Sequence, residues 1–115
     1  MMATSLLCLA LVVAREAGGE PAQVQVAVTH VVRNRMTRAG RPVCNVTTIR
    51  AQFARARKKP SIELIRRVRE AWRRADVTHG ATHFHDPRLR PYWARKMVRT
   101  ARIGRLSFYR EGKKS

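Results

Sequence analysis

One carboxylate stands out in this chain: Glu16, placed where the apolar run of residues 6–14 gives way to Gly18 and Gly19. Seven Asp and Glu are set against twenty-five Lys and Arg, so an acid at the end of a greasy helix is not background. A carboxyl group half-buried against apolar side chains resists ionisation. Kept protonated near neutral pH, such a group can hand its proton to the leaving oxygen of a glycosidic bond. We therefore expect Glu16 to be half-buried and to act as a general acid. Cleavage of this kind normally uses a second carboxylate, as nucleophile or as base for water. Glu20, Asp76 and Asp86 are the candidates, and none has a position that demands catalytic use.

Other side chains could bind rather than react. Gln52 and Phe53 offer an amide and a ring to a sugar. Phe84, Trp93, Phe108 and Tyr109 are expected more in a core than in a cleft. Tyr109 is the best cleft candidate among them, because its hydroxyl needs a partner when buried. His79, His83 and His85, with Asp86, invite a metal. Structural zinc wants four recognisably spaced ligands, however, and a His-x-His pair falls short. We expect no metal and no cofactor. Cys8 and Cys44 have a spacing that does not demand a disulfide, and two buried free thiols are the expected state.

Helices must position these groups. Ser5 can cap a helix that begins at Leu6 and runs out at Glu16. The same run lacks the basic lead and the length of a signal or membrane segment, so we expect a mature first helix and no cleavable signal. Pro21 suits the first turn of a second helix, whose stripe of Ala27, Val28, Val31 and Val32 ends near Arg35. Residues 37–42 read as a loop, and 43–52 are ambiguous. Ser61 caps the clearest helix, with Ile62, Ile65, Val68, Ala71, Trp72 and Ala75 on one face and arginines on the rest. Residues 81–86 look extended. Pro91 is expected to open a last helix carrying Trp93, Met97, Val98 and Ala101, and residues 103–109 a closing strand. The whole predicts one α+β domain over residues 1–115, mainly helical with a small β element.

A net charge of +18 exceeds what solubility needs and favours polyanions by counterion release. Charge alone is also compatible with a non-enzymatic nucleic-acid-binding protein, or with a cationic membrane-active one. No nucleic-acid motif supports the first. The apolar face of the arginine-rich helix is needed for the core, which makes the second secondary.

The blocks around Glu16 carry a resemblance. Residues 16–21 (Glu-Ala-Gly-Gly-Glu-Pro), 25–28 (Gln-Val-Ala-Val) and 32–35 (Val-Arg-Asn-Arg) resemble the opening of the SleB-type cell wall hydrolases. The likeness continues in order through residues 43–46, Gln52-Phe53, residues 80–87, Trp93-Ala94, Ile103-Gly104 and Phe108-Tyr109. It implies a lysozyme-like fold, cleavage of the peptidoglycan glycan strand and Glu16 as the catalytic acid. Glu20, Gln25, Gln52, Phe53, Phe84 and Tyr109 become candidate substrate contacts. The lytic transglycosylases of this kind work with a single acid, which we expect here in preference to hydrolysis. Implied partners are glycan strands and anionic envelope polymers, with a holin for access if the chain is a phage endolysin. A monomer acting at the wall or periplasm is expected. The chain departs from the family at Gly18, where Arg is usual, and at Val24, where Gly is usual. Arg105-Leu106 replaces a frequent Asn-His, removing a polar side chain from a strand near the expected cleft.

Overall fold

The computed structural model describes residues 3–40 and 59–112. Helix α1 (Ala3–Ala17) comes first. Cys8, Leu9, Ala10, Leu11 and Val13 are all 5% exposed or less, so the apolar run serves as core on nearly every side of the helix. No described helix is long and apolar enough to cross a membrane. Cys8 is disulfide-bonded, which corrects the expectation of free thiols. The chain's other cysteine, Cys44, lies outside the described residues, as do Gln52 and Phe53.

Helix α2 (Ala22–Ala39) follows Pro21, its N-cap, and ends on Gly40. It is longer than its apolar stripe suggested, because Thr37, Arg38 and Ala39 continue the helix on its exposed side. Helix α3 (Ile62–Arg73) is capped as expected: the Ser61 hydroxyl oxygen accepts from the Leu64 N–H at 3.1 Å. Its buried line is Leu64, Val68 and Ala71, whereas Ile62 is 69% exposed. Both α2 and α3 pack on α1.

The rest is a three-stranded antiparallel sheet in the order β1–β3–β2, from β1 (His83–His85), β2 (Val98–Ile103) and β3 (Leu106–Arg110). Two expectations are corrected here. The expected last helix is a short 3₁₀ turn (Tyr92–Lys96) followed by strand β2. The expected closing strand is a hairpin, broken by a two-residue turn at Gly104 and Arg105. Gly104 has φ 59°, the positive angle that a primed hairpin turn needs at its first central position. A Cβ there would also lie 2.6 Å from a methyl of Val24. The Val24 side chain, present where Gly is usual, is therefore matched by a turn that has none.

The sheet's inner face carries Phe84, Phe108 and Ala101 at paired positions. Phe108 is fully buried in a cluster with Leu9, Val13, Val24, Val28, Val31 and Val68. Burying a ring of this size stabilises by about 1.5–3 kcal/mol. The helical part is closed on the sheet by a polar knot at residues 76–80. Asp76 accepts from the Thr78 N–H (2.8 Å) and hydroxyl (2.6 Å), the Gly80 N–H (2.8 Å) and the Asn34 amide on α2 (2.8 Å). These donors hold its carboxyl well below the usual range, at about 2, against the opposing effect of burial. His30, fully buried on α2, donates from Nε2 to the Ala71 carbonyl (2.7 Å) and accepts at Nδ1 from the Val77 N–H (3.1 Å). Burial lowers its pKa, so it stays neutral with this tautomer fixed by its partners.

Candidate active site

Glu16 emerges on the last turn of α1, just past the buried stripe of Leu9, Val13 and Ala17. It is exposed, not half-buried as expected. The stripe ends at Ala17, and the next backbone turns away through Gly18 and Gly19 into α2. Gly18 is required here. Its N–H donates to the Ala14 carbonyl at 2.9 Å, and a Cβ would lie 2.3 Å from that oxygen. The arginine usual in the family would therefore need a different end to this helix.

The charge that faces Glu16 is Arg35, on α2. Burial lowers the Arg35 pKa, and the Glu16 carboxylate works against that by favouring the cation. The Arg35 Nε donates to the Thr82 carbonyl at 2.5 Å, which fixes the guanidinium at the edge of the sheet. Arg35 and Thr82 line a cavity of about 410 Å³, together with Arg38, Ala39, His83 and Glu111. Arg38 is ion-paired with Glu111 across it. His83 is kept neutral by burial and by the Arg35 charge.

From His83 the sheet's outer face continues as an aromatic cluster. Trp93, on the 3₁₀ turn, covers it with ring centroids 5.1 Å from His83, 5.6 Å from His85 and 5.5 Å from Tyr109. His85 stacks on Tyr109 at 5.2 Å. The Asp86 carbonyl can only accept, so His85 Nδ1 donates to it (2.8 Å), and Nε2 is hydrogen-bonded with the Tyr109 hydroxyl (3.0 Å). Tyr109 thus finds its partner inside the cluster and remains half-buried beside the cavity wall. Phe84 lies on the opposite, inner face, 5.8 Å from Phe108, where it is partly buried against the core.

Two further sequence candidates are bonded within the protein. Gln25 is 5% exposed. Its amide donates to the carbonyls of Ala17 (3.1 Å) and Gly18 (3.4 Å), and its Oε1 accepts from Arg67 (2.6 Å). All its polar atoms are engaged within the protein, and it anchors the end of α1. Glu20 is held by Arg105 from the hairpin tip, through Nε at 2.8 Å and Nη2 at 2.5 Å. Arg105 also approaches Asp86 at 3.6 Å, and Asp86 is chelated by Arg88. Hydrogen bonds from Arg88 hold the Asp86 carboxyl at about 2. The residue expected to remove polarity from the cleft strand thus supplies it at the turn, while Leu106 enters the core. Arg35 and Arg105 were missed as site residues. Arg35 had a signal, since it closes the Val-Arg-Asn-Arg block, whereas Arg105 had none. No group of three metal-ligating side chains occurs among the described residues.

Helices α1 to α3 packed on this small sheet form a lysozyme-like α+β domain. The Cell Wall Hydrolase family profile matches residues 19–109, and the chain belongs to that family. The matched span begins just after Glu16. Among solved structures, the fold is similar to the catalytic domain of the germination-specific lytic transglycosylase SleB from Bacillus anthracis. The TM-score is 0.75 at 22% identity, over 96% of this chain and 97% of that one. It is equally similar to the catalytic domain of Bacillus cereus SleB, with TM-score 0.75, 24% identity and coverage of 95% and 91%. No curated protein matches the sequence.

Proposed function

We propose that this cell wall hydrolase cleaves the peptidoglycan glycan strand as a lytic transglycosylase, with Glu16 as its acid and base. One observation carries the single-acid reading. All seven acidic residues lie among the described ones, and each candidate partner is committed elsewhere. Asp76 is tied by four donors, Glu20 by Arg105, and Asp86 by Arg88. Glu16 is exposed and carries no hydrogen bond among the described residues. The acid would protonate the glycosidic oxygen as the C1–O bond breaks. The resulting carboxylate would then accept the proton of the muramic C6 hydroxyl, whose oxygen closes on C1. The product is a 1,6-anhydro sugar and no water is consumed. Arg35 would hold the carboxylate form in place between the two proton transfers. Because Glu16 stands in solvent, a glycan laid over it would supply the desolvation that favours the acid form. SleB of Bacillus anthracis, similar in fold, is a lytic transglycosylase, which supports the same outcome here.

The setting we propose is a monomeric lysin that acts at the wall and gains access through a holin. The charge of +18 would concentrate it on anionic envelope polymers. A disulfide at Cys8 suits an oxidising compartment. The test is turbidity clearance of purified sacculi with product analysis. Wild type should release anhydro-muropeptides, and Glu16→Gln, folded by circular dichroism, should lose at least about 100-fold in rate. Full activity in the folded variant removes Glu16 as the acid. Products with a new reducing end show hydrolysis instead.

A further inference from the structure

A second cavity, of about 520 Å³, lies between the start of α2 and the exposed side of α3, away from the aromatic cluster. Its charged lining is Arg66, Arg67 and Arg74 with Glu63 and Glu70. On an isolated helix these acids and arginines, three or four residues apart, pair with each other. Here none of the five forms an ion pair among the described residues. Arg67 is instead held at 2.6 Å by the buried oxygen of Gln25, whose amide is anchored on the carbonyls of Ala17 and Gly18. One guanidinium is therefore fixed before any ligand arrives, and the other charges around it are uncommitted. The groove is also one side chain away from the last turn of the helix that carries Glu16.

We infer that this groove binds a short peptide bearing both free carboxylates and an ammonium group, the chemistry of the stem peptide attached to the muramic acid of the wall. The assignment of that source rests on the proposed peptidoglycan substrate. The mixture of charges is the discriminating feature. A phosphodiester polymer prefers a surface of one sign, and Glu63 and Glu70 would repel it. A zwitterionic peptide finds arginine forks for its carboxylates and an acid for its ammonium in the same cavity. Bound there, it would hold its glycan beside the end of α1.

The probe is a synthetic tripeptide of alanine, γ-linked glutamate and diaminopimelate, titrated calorimetrically into wild type and into Glu16→Gln. Both proteins should bind it equally. Arg66→Ser/Arg74→Ser, with its helix content verified, should weaken binding at least about tenfold. Glu70→Gln should weaken the tripeptide but not a form acylated on the diaminopimelate side-chain amine, whereas acylating the alanine nitrogen, as in the wall, should leave binding unchanged. The double variant should still clear sacculi stripped of peptide at the wild-type rate. Absence of tripeptide binding, equal binding by the arginine variant, or tighter binding of polyphosphate than of tripeptide overturns the inference. Failure of Glu16 as the acid would show in the sacculus assay and leave these titrations unchanged.

Discussion

Glu16 and Asp76 are both carboxylates next to helix ends, and the molecule treats them in opposite ways. Asp76 sits in a turn where every nearby donor converges on it: two backbone N–H groups, a hydroxyl and an amide from α2. That turn is tied further, through the His30 bridge to α3 and through the Thr100 hydroxyl on β2, which donates to the Thr78 carbonyl at 2.6 Å. Glu16 stands exposed, with an arginine as its electrostatic neighbour. A carboxylate whose lone pairs are filled is a structural part, because it can take up a proton only by losing its donors. A carboxylate left open can exchange protons with a substrate. Position in the sequence does not separate the two; the count of donors aimed at each does.

Exchanging the two acids for their amides should break this symmetry most visibly. Glu16→Gln should abolish lysis while leaving the melting curve in place. Asp76→Asn keeps the shape but turns one acceptor oxygen into a donor facing N–H groups, and should cost about 2–3 kcal/mol. Its lytic rate at low temperature should stay near wild type. Paired thermal melts and sacculus assays read both effects. Loss of lysis without loss of stability in the Asp76 variant would make that turn part of the chemistry and end the contrast.

Gly18→Ala probes how strictly the end of α1 is placed. A methyl 2.3 Å from the Ala14 carbonyl cannot be accommodated without moving the backbone. We expect a loss of roughly 1–3 kcal/mol, as for other backbone clashes, and a drop in rate larger than that stability loss explains. An unchanged rate would mean that the placement of Glu16 tolerates movement of the turn.

Acid should separate the two regions in another way. Asp76 has a folded pKa of about 2 against an ordinary 3.8, so the unfolded chain binds its proton first. The stability it contributes is present above pH 3.8 and is lost as pH falls toward 2, worth roughly 2 kcal/mol. His30 is also lowered in the fold, from 6.5, so its share starts to fall once pH drops below that value. Denaturant titrations at stepped pH should show both losses in wild type, and Asp76→Asn should lack the more acidic one. A single loss common to both proteins would contradict the assignment.

What the sequence disclosed was local. The Ser61 cap and α3 follow from capping chemistry and periodicity. Helix α1 follows from its apolar run, but it starts at Ala3, so Ser5 lies inside the helix and does not cap it. Glu16 could be located because the apolar run stops there. The misreadings have equally physical causes. Strand β2 carries a register shift between Arg99 and Ala101, so Val98 and Ala101, three apart in sequence, share a face and imitate helical spacing. The Gly104 turn lies inside what looked like one apolar strand. The exposure of Glu16, the anchoring of Gln25 by Arg67 and the capture of Glu20 by Arg105 each depend on residues far away in the chain, which no local pattern encodes.

Arg105 offers the smallest test and the one closest to the site's edge. It joins the hairpin tip to the loop between α1 and α2 by bonding Glu20, and its side chain is 57% exposed. An exposed pair of this kind is worth about 0.2–1 kcal/mol and weakens in salt. Arg105→Ser should therefore lower stability by less than about 1 kcal/mol, with the difference shrinking as ionic strength rises. Its effect on lysis should be confined to low salt, where the pair holds the loop that follows Glu16. A salt-independent loss of rate would place Arg105 in contact with the glycan itself, and would move the boundary between the structural and the reactive acids from Glu20 to the hairpin.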